Sequence, residues 1–214
     1  MPYICLLLSG AALLLNGLAT LGRLPRRDAA VFSLVLGSTQ LVLGVVHLSA
    51  GDTGTTALLT AAGMFLFGLT YLYAGLDVTL ALGSSGLGWF CGMVAFCGLL
   101  LAAAWSGTDP LLAVLWLCWS VLWALLFASL ALGAVRLEPF TGWALVLASQ
   151  VTATVPAFLG LAGMWPRDSW AAWLAAAFLA GLFVAARALA RRGHGGPHRA
   201  GAGAAGRAVG PESL

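Results

Sequence analysis

"LLAVLWLCWSVLWALLFASLALGA", residues 111–134, carries no charged residue and holds three tryptophans, Trp116, Trp119 and Trp123. A run this long and this apolar can cross a hydrocarbon core, which takes ~20 residues of helix. At 3.6 residues per turn the indoles share one face, with Ser120 beside them and Phe127 one turn on. Tryptophan in membrane helices collects at the water interfaces, where its N–H stays wet. A ladder over two turns puts part of the stripe at depth, where it is either helix packing or the wall of a pathway.

The same composition extends over the chain. Of 214 residues 61% are hydrophobic and 8% charged, and mean hydropathy is +0.99. A soluble domain carries roughly 25% charged residues, so this chain has too few to coat a water-facing surface and reads as an all-α integral membrane protein. It has ten arginines and no lysine. Without lysine there is no Schiff-base site, which excludes a retinal pump. The net charge of +3 comes mostly from two arginine clusters and implies no nucleic-acid partner. Cys5, Cys91, Cys97 and Cys118 lie in apolar runs without CxxC spacing and read as small buried hydrophobes.

Seven runs are long enough to span: about 3–22, 29–49, 55–76, 86–104, 111–134, 140–164 and 169–189. The breaks "GRLPRRD", "AGDTG", "DVTLALGSS", "WSGTDP", "VRLEP" and "WPRD" are short and carry charge, Pro or Gly. Consecutive helices are therefore antiparallel neighbours. The first run has its basic residues Arg23, Arg26 and Arg27 behind it rather than in front, so it reads as a retained helix and not a signal peptide. Seven spans place nine of the ten arginines on one side, leaving Arg167 on the other. The positive-inside rule then puts the N-terminus outside and the C-terminus in the cytoplasm. The alanine-rich seventh run could alternatively lie in the interface as an amphipathic helix. Three regions follow: a six-helix unit over 1–164, a seventh span over 165–190 and a basic, disordered cytoplasmic tail over 191–214. His194 and His198 lie in that tail, and Gly195, Gly196 and Pro197 between them forbid a metal-binding helix.

The acidic residues Asp28, Asp52, Asp77, Asp109, Glu138, Asp168 and Glu212 all fall at helix ends, in breaks or in the tail. No relay for H⁺ or Na⁺ is visible, His47 has no evident partner, and no catalytic or cofactor-binding motif occurs. Neutral polar residues do lie within the spans: Asn16, Thr70, Tyr71, Tyr73, Ser149, Gln150, Thr152 and Thr154. In hydrocarbon each needs a partner, as glue between helices or as the lining of a wet path. Aromatic walls with sparse neutral dipoles suit a neutral, planar, polar solute.

Several ordered segments, "LLLSGAALLLNG", "GLTYLYAGLD", "GLGWFC", "LWLCWSVLW" and "FTGWALVLASQVTATVPAFL", together resemble the AmiS/UreI family over roughly 1–162. That family comprises a proton-gated urea channel and proposed amide transporters. The resemblance implies a polytopic six-helix bundle with a pore in each protomer and a hexameric ring of protomers. It implies a pathway lined by Leu6, Leu13 and Asn16 of the first helix, Leu69 and Tyr73 of the third, and Trp116, Trp119, Leu122 and Trp123 of the fifth. Leu69 stands where the urea channel has phenylalanine, Leu112 where it has tryptophan, and Ala148 where it has a buried glutamate, with Ser149 and Gln150 as substitute dipoles. The second break is too short to carry the gating loop of that channel, so no acid activation is expected. The expected activity is passive passage of urea or short aliphatic amides across a bacterial plasma membrane, with no cofactor. A non-transporting membrane scaffold and an ion-coupled amide carrier are the alternatives.

Overall fold

The computed structural model describes residues 1–50 and 54–193. Asp52 of the second break, His194, His198 and the tail from 194 lie outside the described residues. Among the described residues seven helical elements are long and apolar enough to cross a membrane: α1 (Pro2–Thr20), α2 (Arg26–Ser49), α3 (Thr55–Leu80), α4 (Ser85–Trp105), α5 (Pro110–Leu130), α6 (Val135–Leu161) and α7 (Ser169–Gly193). The protein is an all-α, multi-pass membrane protein.

Several boundaries differ by a few residues from the sequence expectation, and two of the shifts have a visible cause. α3 runs one turn further, through Asp77, because that carboxylate accepts the backbone N–H of Ser84 (2.9 Å) and its hydroxyl, which ties down the next loop. α5 stops at Leu130 rather than 134. Gly133 takes φ +67° and lets the Ala134 N–H reach back to the Ala128 carbonyl (3.0 Å), a left-handed cap that glycine adopts without steric cost.

The six-helix unit is built from three close antiparallel pairs, α1 with α6, α2 with α3, and α4 with α5. Between helices in lipid the driving force is close packing rather than expulsion of water, and small residues permit it. A Cβ on Gly37 would stand 2.5 Å from the Leu72 backbone nitrogen and 2.7 Å from the Gly68 carbonyl. A Cβ on Gly17 would stand 2.9 Å from the Val146 nitrogen and 3.0 Å from the Gly142 carbonyl. Those helices touch backbone to backbone.

α6 is not uniform. A 3₁₀ turn (Val135–Leu137) leads into α-helix (Glu138–Ala148), then a π-helical segment (Ser149–Thr154), then α-helix again (Val155–Leu161). Pro156 explains the change of pitch: it has no N–H to donate and its ring crowds the carbonyl one turn back. The seventh helix packs on α6 and α5, burying Leu179, Leu182 and Ala186. Phe183 meets Phe140 at 6.4 Å, and the Arg187 guanidinium lies 5.5 Å over the same ring.

Candidate substrate pathway

The α5 ladder faces inward as its spacing requires. Trp116, Trp119 and Trp123 are all buried. Trp116 and Trp119 meet edge to face at 5.1 Å. Opposite them α3 presents one face built from Gly63, Phe67, Thr70, Tyr71 and Ala74, spaced at three and four residues. The Phe67 ring is the hub, with centroids 5.8 Å from Trp116, 5.0 Å from Trp119 and 4.7 Å from Trp123. Gly63 makes room for the Trp116 indole, whose Cζ2 lies 2.7 Å from where a Cβ would be.

α6 fixes the central indole from the other side. Trp119 donates its Nε1–H to Thr152 Oγ1 (3.0 Å), and Thr152 in turn donates to the Ala148 carbonyl (2.8 Å). Thr152 sits in the π-helical segment and is fully buried. Behind this wall α1 and α2 are joined by polar contacts. Gln40 donates to the Cys5 carbonyl and to Ser9 Oγ, both at 2.8 Å, and Asn16 donates to Ser33 Oγ at 3.0 Å.

Two cavities approach this aromatic cluster from opposite ends of the bundle. One, of about 140 Å³, opens at the end that carries Arg26 and Asp77 and is lined deeper by Leu13, Asn16, Thr70, Tyr71, Leu122 and Trp123. The other, of about 290 Å³, opens at the end that carries Tyr3, Asp109 and Trp165 and is lined deeper by Leu6, Ser9, Met64, Leu112 and Trp116. Phe67 and Trp119 line both. These two rings, at 88° to each other, form the partition between the cavities, and no charged residue stands at it. At the larger mouth Asp109 caps α5 through the Leu112 N–H (2.9 Å), and its second oxygen accepts the Trp165 indole N–H (2.9 Å). Tyr3 stacks obliquely on Trp165 at 5.6 Å.

Seven of the nine residues expected along a pathway therefore line one cavity or the other. Leu69 and Tyr73 do not. Leu69 is 42% exposed on the outer face of α3, two positions and more than half a helical turn from Phe67. Tyr73 turns to α4, with its ring 6.1 Å from Phe90 and its hydroxyl against Gly86. Phe67 and Tyr71 occupy the places expected for them. Ser149 and Gln150 do not supply the α6 dipole either: Ser149 donates to the Val146 carbonyl (2.6 Å), Gln150 is exposed, and Thr152 meets Trp119 instead. Gln40 was not expected: it follows Ser38 and Thr39 in α2, and nothing local marks it out from them as the residue that turns inward.

The model of the AmiS/UreI family of transporters matches residues 1–164. The chain belongs to the AmiS/UreI family. AmiS2 of Rhodococcus erythropolis, a candidate transporter, is 45% identical over 166 residues, covering 76% of this chain and 80% of its own. A candidate transporter of amidate substrates from Mycolicibacterium smegmatis is 34% identical over 187 residues, covering 86% and 87%. The crystal structure of the urea channel from Helicobacter pylori superposes with a TM-score of 0.70 at 29% identity, covering 78% of this chain and 100% of that one. The AmiS/UreI fold here is thus a helical membrane-transport scaffold, and its members include channels and transporters.

Proposed function

We propose that this member of the AmiS/UreI family is a passive channel for urea or short aliphatic amides. The observation that carries the reading is the pair of opposed cavities separated by one uncharged partition, Phe67 against Trp119. A small ion entering that slot would lose hydration worth many kcal/mol with no opposite charge to replace it. A flat neutral amide has a much smaller penalty, and it can slide between ring faces that move apart by rotation of two side chains. Its polar ends meet hydroxyl-bearing and indole residues in both cavities, and the Asn16 amide in the smaller one. The relatives support the substrate class, since they include a urea channel and a candidate transporter of amidate substrates.

In this reading the protein sits in a bacterial plasma membrane with its N-terminus outside, opens without acid activation, uses no cofactor and assembles as a homo-oligomer, a hexamer by resemblance to its family. Stopped-flow swelling of proteoliposomes in urea, acetamide and sodium chloride is the test. Urea and acetamide should enter faster than into empty vesicles, equally at neutral and acidic pH and regardless of a protonophore, while salt should not enter. Swelling no faster than that of empty vesicles would end the channel reading, and loss of flux with the protonophore would favour a coupled carrier.

A further inference from the structure

The Arg26-side cavity has a directional hydrogen-bonding character. Four hydroxyl-bearing residues line it, and each has its hydroxyl hydrogen committed elsewhere. Thr20 donates to the Asn16 carbonyl (2.8 Å), Thr70 to the Leu66 carbonyl (2.7 Å), Tyr71 to the Ser9 carbonyl (3.4 Å), and Ser84 to the Asp77 carboxylate. A carbonyl or carboxylate oxygen carries no hydrogen, so in each pair the hydroxyl is the donor and keeps its lone pairs as acceptors. Asn16 is oriented in the same sense. Its Nδ2 donates to the Ala12 carbonyl (2.9 Å) and to Ser33 Oγ (3.0 Å), which occupies both amide hydrogens. Turning the amide over would set Oδ1 against the Ala12 carbonyl, acceptor on acceptor. Oδ1 makes no hydrogen bond among the described residues. The lining residues that carry donors are Arg26 at the mouth and Trp123, whose indole N–H likewise has no partner among the described residues; the Trp119 N–H is taken by Thr152.

We infer that this cavity is a recognition site for the –NH₂ end of a carboxamide or urea. Asn16 Oδ1 and Thr70 Oγ1 accept from the solute nitrogen, and Trp123 Nε1 donates to its carbonyl oxygen. An apolar helix favours this polarity by default, because an internal hydroxyl satisfies itself on the carbonyl one turn back. The result is a wall that offers oxygen lone pairs to whatever enters. A solute with N–H hydrogens satisfies those acceptors. A solute of equal size without them leaves the acceptors unpaired and keeps its own carbonyl as the one polar match. Thr70 and Asn16 are then specificity-determining residues.

The inference rests on the channel reading above, and two isomeric solutes separate the two. Propionamide and N,N-dimethylformamide have the same atoms, and only propionamide has N–H donors. Proteoliposomes of the full chain should pass propionamide about three- to tenfold faster than N,N-dimethylformamide after subtraction of empty vesicles, the range of one or two hydrogen bonds. Thr70→Val keeps the side-chain shape and removes the acceptor. It should slow propionamide by about the same three- to tenfold and leave N,N-dimethylformamide unchanged, while Thr70→Ser should retain the wild-type ratio. If the wild-type protein passes neither propionamide nor urea, the channel reading fails. If it passes both isomers equally, or if Thr70→Val leaves their ratio as it was, the channel reading stands and the recognition site is overturned. The isomer comparison needs no variant, so a folding defect in Thr70→Val does not protect the inference.

Discussion

Phe67 touches all three ladder indoles and, with Trp119, separates the two cavities. Removing its ring should therefore do two things at once. Phe67→Ala should lower thermal stability in detergent, by at most about 3–5 kcal/mol because cavities already adjoin the ring. It should also join the cavities, so that butyramide gains on urea in swelling assays. A variant that loses stability without any change in that ratio would show the ring to be core packing alone. Trp119 is held by one hydrogen bond to Thr152, and the pair can be dissected the same way. Trp119→Phe and Thr152→Val should each cost about 1 kcal/mol, and the double variant little more than either, since both remove the same bond. The ladder was legible from its spacing alone, because three indoles at helical intervals in an apolar run must share a face. The facing aromatic was not. "FGLTYLY" offers Phe67, Tyr71 and Tyr73 as candidates, and which of them turns inward depends on how α3 rotates against α2. The glycines that set that rotation, Gly37 and Gly68, read only as small residues until their partners are known.

Those glycines belong to the scale of the helix pair. At Gly37 a side chain would meet the Leu72 nitrogen and the Gly68 carbonyl, and backbone cannot rotate away as a side-chain tip can. Gly37→Val should force α2 from α3 and cost about 3 kcal/mol or more, seen as lost monodisperse protein on size exclusion in detergent. Gly181 is the control within the same molecule, since nothing lies within 4 Å of its notional Cβ in α7. Gly181→Ala should be neutral or stabilising by up to about 1 kcal/mol. A tolerated Gly37→Val would mean that the α2–α3 contact is looser than the geometry implies. The existence of seven apolar helices could be read from length and hydropathy, because the hydrocarbon thickness sets one scale for all of them. The pitch change in α6 could not. Pro156 announces an irregularity, yet only the position of Trp119 shows that the π-helical turn delivers the Thr152 hydroxyl to an indole.

At the scale of the whole molecule, α7 stands off the pathway and meets it only through the connection that precedes it. No residue of Ser169–Gly193 lines either cavity, but Trp165, in the connection before it, hydrogen-bonds Asp109 and covers the larger mouth beside Tyr3. Two truncations follow from this arrangement. A chain ending after 168 keeps Trp165 and both cavities, and should retain urea and acetamide flux with reduced stability, because the Leu179–Ala186 face no longer covers α5 and α6. A chain ending after 164 also loses the indole and the partner of the Asp109 oxygen, so its larger mouth widens and it should discriminate less between acetamide and butyramide. Equal selectivity in the two truncations would show that Trp165 has no part in the mouth. Orientation is tested on the full chain. Nine of ten arginines share a side only if α7 crosses the bilayer. A membrane-impermeant maleimide should then label Thr108→Cys in intact cells, and Arg192→Cys only after permeabilisation. Labelling of both in intact cells would place α7 along the surface rather than through it, and would leave the basic residues after it on the same side as Arg167.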